Sequence, residues 1–164
     1  MPHLHRFHVP PGPTEGEITL PEEEAHHAVR VLRLRPGEEV ALFDGVGVEL
    51  RGRVTRADKR AVSVEIESVR REAPAAARVA LLQAGLKREK LMEDLVRRGT
   101  ELGVSEFTFY RAQRSEKEPR LDAKWRRIAV ETCKQSGRLW LPEFRMVPGL
   151  DDALTETWDS LLVL

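Results

Sequence analysis

A group of polar residues in the second half of the chain could contact a phosphate or the edge of a base. Its members are Glu131, Gln135, Ser136 and Arg138. Arginine offers a planar, permanently charged fork that matches phosphate, and glutamine and serine add further hydrogen-bonding groups. These residues are therefore the first candidates for contact with a nucleic acid.

The element that positions this group is predicted from the apolar residues before it. They recur at spacings of three, four and eight, so one face of a helix over residues 122–137 turns inward. The inward residues are Trp125, Ile128, Ala129 and Cys133. Gly137 stands where the helix would end, and Lys134 complements the helix dipole. Cys133, the single cysteine, is predicted to be a core residue and excludes an internal disulfide bond.

Charge is unevenly distributed along a chain that is neutral overall. Residues 73–138 hold 15 basic and 9 acidic side chains, and such a basic region concentrates polyanions such as nucleic acid. The alternative is a solvated surface whose charges pair along helices. The apolar share of 41% is enough for a packed core. No apolar run reaches a membrane-spanning length and the first residues lack a signal-peptide pattern, so a cytoplasmic protein is expected.

The first region, residues 1–72, is predicted to be a small β-barrel with one helix. A capping box at residues 19–22 would open the helix, which should run to about Leu34. Alternating apolar residues predict strands over 40–43, 48–55 and 62–66. Arg51 and Arg53 should then share one outer face of the barrel. A linker is expected over residues 71–77.

The second region, residues 73–164, alternates predicted strands and helices. The strands are expected over 79–83, 106–110, 144–147 and 161–164, and the helices over 87–102, 122–137 and 150–154. This order indicates a mostly parallel sheet with helices on both faces. In the helix over 87–102, the inward residues should be Leu91, Leu95 and Leu102.

Several classes of enzyme are disfavoured by missing motifs. The sequence after the strand at 79–83 lacks the glycine pattern of dinucleotide-binding folds, and no phosphate-binding loop of the NTPase type occurs. No serine, histidine and aspartate stand in the context of a hydrolase nucleophile. His3, His5 and His8 lack a cysteine or acid to complete a metal site, so no metal is predicted.

A series of short motifs runs through nearly the whole chain. They are Arg6-Phe7; His27, Arg30, Val31, Leu32 and Arg33; Gly37; Leu42-Phe43-Asp44-Gly45; Glu101-Leu102-Gly103-Val104; Arg114-Ser115; and Trp125, Ile128-Ala129, Glu131, Gln135-Ser136, Arg138 and Pro142. In this order they resemble the bacterial ribosomal RNA uridine-N3 methyltransferases of the RsmE type, which act on 16S ribosomal RNA.

The resemblance implies an α/β fold with an all-β amino-terminal part. A PUA-like, RNA-binding barrel over 1–72 would be followed by a SPOUT α/β knot domain, here truncated, over 73–164. The family binds S-adenosylmethionine in its knot and forms homodimers through it. The loop and knot that bind the cofactor would lie beyond Leu164, so the cofactor residues are unknown and the chain alone is expected to be incomplete as an enzyme.

The chemistry of such a reaction, which needs a group that stabilises charge on the base and contacts that hold the RNA, indicates candidate residues for each role. The catalytic candidates are Arg114, Glu131 and Arg138. The candidates for binding RNA are Arg6, His27, Arg30, Arg33, Arg51, Arg53, Lys87, Lys90 and Gln135. Two other classes stay open, namely an RNA-binding module without catalysis and an assembly protein that pairs through an exposed strand.

Overall fold

A computed structural model describes residues 4–86, 88–112, 123–155 and 158–162. The chain divides into two compact units. The first unit contains Met1–Ala76 and Cys133–Leu141, and the second contains Ala77–Thr132 and Pro142–Leu164. The first segment thus ends four residues after the predicted boundary at residue 72. The addition of the 133–141 segment to the first unit was not predicted from the sequence.

The first unit is built on a five-stranded sheet. Its elements are β1 (His5–His8), β2 (Glu17–Thr19), α1 (Glu22–Arg30), β3 (Glu39–Phe43), β4 (Val48–Ala57) and β5 (Val62–Arg71). The strand order is β1-β3-β4-β5-β2, with β1 parallel to β3 and the other neighbours antiparallel. Among the described residues β1 and β2 are edge strands that do not pair with each other, so closure into a barrel stays a prediction.

Alternation along the strands places one face of this sheet on the main core. Leu50 and Val54 of β4 are buried, as are Val62 and Val64 of β5, while Ala28 of α1 packs against them. The strands predicted over 40–43, 48–55 and 62–66 are confirmed as β3, β4 and β5. Their period-two alternation could be recognised in the sequence because it is a direct consequence of strand geometry.

The predicted start and end of the helix in this unit are wrong. Thr19 lies in β2, where its hydroxyl is 3.3 Å from that of Ser63, and the N-cap is Pro21, which makes no side-chain capping bond. The helix ends at Arg30 rather than near Leu34. It stops there because the chain turns at Arg33, which adopts a φ of 56°.

The 133–141 segment joins the sheet at the turn between β3 and β4. Gly47 N donates to Leu139 O at 3.1 Å, and Leu141 N donates to Gly45 O at 2.9 Å. Trp140 adds a hydrogen bond from its indole nitrogen to Glu72 O, at 3.0 Å. Backbone bonds of this kind fix the segment as an added, antiparallel edge of the first unit.

The second unit contains a parallel sheet with the order β6-β7-β8. Its elements are β6 (Ala80–Ala84), α2 (Glu89–Leu102), β7 (Glu106–Tyr110), α3 (Ala123–Ser136), β8 (Glu143–Val147) and α4 (Leu150–Ala153). The division between the units falls within α3, after Thr132. The predicted βαβα order and parallel sheet are therefore confirmed.

Helices α2 and α3 lie on the same face of this sheet, not on opposite faces. Met92 and Val96 of α2 and Trp125 of α3 pack with Phe107 and Phe109, which point to one side of β7. The arrangement follows from the strand order, since right-handed crossovers that step in one direction across a sheet place their helices on one side.

The inward face predicted for α2 is displaced by about one residue. Leu95 is partly buried and packs against the core, as predicted, but Leu91 and Leu102 are exposed. The buried positions are Met92, Val96, Gly99 and Thr100. Of the strand predicted over 161–164, residues 161 and 162 form no strand, and 163–164 lie outside the described residues. No helix within the described ranges is long and apolar enough to cross a membrane.

At Gly47 both the backbone conformation and the surrounding atoms require a glycine. Its φ is +100°, and an added Cβ would lie 2.5 Å from Glu72 O and 2.6 Å from the ring of Trp140. We expect Gly47→Ala to lower the free energy of unfolding by about 3 kcal/mol, through strain and displacement of Trp140.

Gly37→Ala is the matched control for this substitution. Gly37 has a φ of +92°, but nothing lies within 4 Å of an added Cβ. Gly37→Ala should therefore lower the free energy of unfolding only through backbone strain, by about 1 kcal/mol. Urea denaturation of both variants measures the difference, and equal losses would contradict the packing of Trp140 on Gly47.

Candidate nucleic-acid interface

Three arginines converge on one buried carboxylate, Glu49, in the first unit. Arg6 Nη1 lies 2.8 Å from Glu49 Oε2, and Arg51 Nε lies 3.4 Å from Oε1. Arg70, opposite Glu49 on β5, places its Nε 3.6 Å from the same Oε1. The Glu49 side chain is only 3% exposed, whereas those of Arg51 and Arg70 are 54% and 55% exposed. In this site, two half-exposed guanidinium groups therefore contact one buried carboxylate.

Arg6 is the buried member of this group. Its guanidinium lies over the ring of Phe43, 5.3 Å from the centroid, and its Nη2 donates to Arg138 O at 3.4 Å. Burial lowers the pKa of Arg6, partly offset by the attraction of Glu49. The side chain is 14% exposed, so it links β1 to the 133–141 segment and offers little surface to a ligand.

Arg53 is also placed on the outer side of β4, as predicted, but it lies among acidic groups. Its Nε is 3.2 Å from Glu67 Oε1, and its Nη1 donates to Gly37 O at 2.8 Å. Glu39 and Glu65 are its cross-strand partners. Local charge is therefore much less positive around Arg53 than around Arg51.

The carboxyl end of α1 presents further candidates. Arg30 and Arg33 are exposed and His27 is half-buried. The carbonyl of His27 accepts hydrogen bonds from Val31 and Leu32, so His27 also takes part in ending the helix. Arg33 is the single described residue other than glycine with a positive φ. Such strain at an exposed arginine suggests a functional reason for its geometry.

The residues predicted at the end of α3 have different surroundings. Glu131 and Gln135 are exposed, and Arg138 is half-buried just after the helix. Lys134 is mostly buried and pairs with Glu24 of α1 at 2.6 Å. Cys133 is fully buried, and burial raises its pKa to about 11, which fits the predicted core role.

Two predicted residues lie outside the described part of the chain. These are Arg114, a catalytic candidate, and Lys87, an RNA-binding candidate; Lys90 is exposed in the first turn of α2. The proposed catalytic set of Arg114, Glu131 and Arg138 is therefore not assembled by the described residues and stays a prediction.

The second unit contains another buried carboxylate that organises arginines. Glu106 at the start of β7 is 3% exposed and accepts a 2.7 Å hydrogen bond from Thr108. Arg78 and Arg145 contact its two oxygens at 3.2 and 3.1 Å. This group ties β8 to the start of β7.

Parallel sheets bind ligands beyond the carboxyl ends of their strands. At those ends, two backbone donors are already used within the second unit. Gly85 N donates to Tyr110 O at 3.0 Å, and Gly149 N donates to Asp152 Oδ2 at 3.0 Å. Among the described residues, these two amides are therefore already paired. Within the same ranges no group of three or more metal-ligating side chains gathers.

Two family models match the chain, one on each side of the predicted boundary. The RNA methyltransferase PUA domain matches residues 20–67, and the RNA methyltransferase domain matches residues 72–164. The second match covers more than half of the chain. The chain belongs to the RNA methyltransferase family. The resemblance found in the short motifs is thus confirmed at the level of the family.

Individual relatives agree with this assignment. Ribosomal RNA small subunit methyltransferase E of Synechocystis is 31% identical over 78% of this chain and 42% of the relative. The Aquifex aeolicus protein of the same name is 32% identical over 89% of this chain and 65% of the relative.

A solved structure extends the likeness to the fold. The Neisseria gonorrhoeae enzyme of that name, bound to S-adenosylmethionine, matches with a TM-score of 0.82 at 26% identity, over 96% of this chain and 67% of that one. The chain therefore spans about two fifths to two thirds of the length of these relatives.

Glu49 and Arg70 were not predicted from the sequence as members of the interface. Glu49 alternates with Arg51 and Arg53 on the outer side of β4, a pattern that indicates exposure. Only the pairing of Glu49 with Arg70 and the approach of Arg6 show that the carboxylate is buried. The sequence offers one weak signal for this ion pair, namely an acidic residue two positions before an arginine on the same strand.

Arg33 allows stability and RNA binding to be separated in one substitution. Arg33→Gly removes the strain of a positive φ, so the free energy of unfolding should stay the same or rise by up to about 1 kcal/mol. RNA affinity, measured by fluorescence anisotropy with a labelled small-subunit ribosomal RNA fragment, should fall.

Arg30→Gly is the matched control because it removes the same charge from a helical position. It should weaken RNA binding to a similar degree and also destabilise the protein by about 0.5–1 kcal/mol. Unchanged RNA affinity in Arg33→Gly would remove Arg33 from the interface.

Proposed function

We propose that the protein takes part in S-adenosylmethionine-dependent methylation of uridine N3 in 16S ribosomal RNA. Two family models of RNA methyltransferases match residues 20–67 and 72–164, and this pair of matches carries the proposal. The relatives named for ribosomal RNA of the small subunit supply the substrate class.

In this proposal the first unit holds the RNA. Half-exposed arginines around Glu49 and the exposed Arg30 and Arg33 at the end of α1 supply groups for phosphate contacts. Contacts of this kind position an RNA without reading its sequence. Arg6, which is largely buried, would act by holding the 133–141 segment rather than by touching RNA. The remaining RNA-binding candidates are less central to this proposal; they are Arg53, Lys87, Lys90 and Gln135.

The reaction sets clear demands on the catalytic residues. Uridine N3 must lose its proton, and an arginine beside the carbonyl oxygens of the base would stabilise the resulting negative charge. The base must also leave its stack, at a cost of a few kcal/mol that RNA binding offsets. Arg114 and Arg138 are the candidates for the charge-stabilising role, and Glu131 and Gln135 for orienting them.

S-adenosylmethionine would supply the methyl group, and its binding residues stay a prediction. A homodimer and a cytoplasmic location, where ribosomal RNA is processed, belong to the same proposal. The second candidate function is an RNA-binding module without catalysis. It is favoured by one observation, namely the half-exposed arginines around Glu49, which are arranged for phosphate contact.

A methyl-transfer assay decides between these two functions. The 164-residue chain, and any longer form of it, is incubated with tritiated S-adenosylmethionine and small-subunit ribosomal RNA that lacks the modification. The RNA is then digested and its nucleosides are separated. Label in 3-methyluridine supports the proposal, and label in another nucleoside contradicts the uridine N3 assignment.

Arg114→Ala tests the catalytic assignment in the same assay. It should lower the methylation rate by about 100-fold, the scale of a lost group that stabilises charge in the transition state, and should leave RNA affinity nearly unchanged. Arg60→Ala, a change in an exposed turn, should leave the rate unchanged. If every form binds RNA but none transfers a methyl group, the RNA-binding module is the correct function.

A further inference from the structure

We propose that Glu49 organises a binding site for a phosphodiester of the RNA backbone, formed by Arg51 and Arg70. The inference rests on the proposed function and adds one positioning residue and one RNA-contacting residue, Arg70, to it. It begins from an imbalance of charge around a carboxylate that solvent barely reaches.

The imbalance is clear from the contacts of Glu49. Three guanidinium groups, from Arg6, Arg51 and Arg70, meet this one carboxylate at distances of 2.8 to 3.6 Å. A second carboxylate, Glu72, approaches Arg70 at 3.9 Å and is half-exposed. Arginine stays charged at any ordinary pH, so the cluster keeps a positive excess after both acids are counted.

The arginines retain donors that no described residue uses. Arg51 directs Nε and Nη2 to Glu49, and Arg70 directs Nε to Glu49 and Nη2 to Glu72. The Nη1 group of each has no described protein partner, and both side chains are more than half exposed. An anion with several oxygens can accept from both groups at once, and a phosphodiester has this character.

Glu49 contributes by fixing the two guanidinium planes before RNA arrives. Free arginine side chains lose rotational freedom when they bind, and a partner that already holds them reduces that loss. Glu49 is itself fixed, because Arg6 holds its other oxygen at 2.8 Å and lies over the ring of Phe43. The negative charge of Glu49 thus favours the binding of another negative charge, through the arginines that it orients.

If Glu49 orients the arginines, Glu49→Gln should change RNA affinity in the direction opposite to that expected from charge alone. Glu49→Gln removes a negative charge near the RNA, so Coulomb attraction alone predicts tighter binding. Loss of the fixed arginines predicts weaker binding, by about fivefold, with a smaller dependence on salt, close to the loss of one phosphate contact. Glu49→Asp, which keeps the charge, should recover part of the affinity.

Glu15→Gln is the matched control, since Glu15 is an exposed carboxylate of the same unit. It should leave RNA affinity unchanged or slightly higher. Affinities are measured for the 164-residue chain by fluorescence anisotropy with a labelled 20-nucleotide single-stranded RNA at several salt concentrations. Thermal melts show whether each variant is folded.

A second pair of variants keeps the test decisive if Glu49→Gln does not fold. Arg70→Ala should weaken binding and lower the slope of log affinity against log salt by about 0.7, as expected for one contact with a single strand. Arg60→Ala removes the same charge from the turn between β4 and β5 and should change neither quantity beyond a small, general effect.

Each outcome bears on one hypothesis. Folded Glu49→Gln that binds RNA as tightly as the unmodified chain, or more tightly, overturns the positioning role of Glu49. Equal effects of Arg70→Ala and Arg60→Ala overturn the phosphate site. If the unmodified chain does not bind RNA at all, the proposed function itself fails, and that result is distinct from the other two.

Discussion

The buried carboxylate of Glu49 is the interaction on which the first unit depends. A carboxylate that is 3% exposed requires compensation, because an unpaired charge in that position would destabilise the fold by several kcal/mol. Arg6 provides the shortest contact and also donates to the carbonyl of Arg138. One guanidinium therefore joins β1, β4 and the 133–141 segment. The same carboxylate also contacts the half-exposed Arg51 and Arg70. The stability of the first unit and the proposed RNA contact therefore both depend on Glu49.

Much of the fold was predictable because local patterns determine it. Strand β7 was predicted over its full range, and α3 nearly so, since each carries a single, unambiguous period of apolar residues. For helix α2 two of the three predicted inward residues, Leu91 and Leu102, are exposed, because its sequence contains two apolar phases one residue apart. Packing decides between them: Gly99 leaves room for the ring of Phe107, and the face that contains Gly99 and Met92 turns inward.

The interface was less predictable than the fold. Exposed arginines on α1 and β4 could be found from sequence because alternation and helical spacing report exposure directly. The burial of Glu49 could not be found in this way. It depends on the register of β4 against β5 and on a contact with Arg6, which lies 43 positions earlier in the chain. The 133–141 segment joins the first unit through backbone bonds to Gly45 and Gly47, which carry no side-chain pattern.

The central claim is that RNA lies on the arginines anchored by Glu49. The most direct measurement is arginine-specific chemical modification of the protein with and without small-subunit ribosomal RNA, quantified at each arginine by mass spectrometry. Arg51 and Arg70 should be protected by RNA, while Arg60, in an exposed turn of the same unit, should react equally in both conditions. Equal modification of all three residues with RNA bound would contradict the claim.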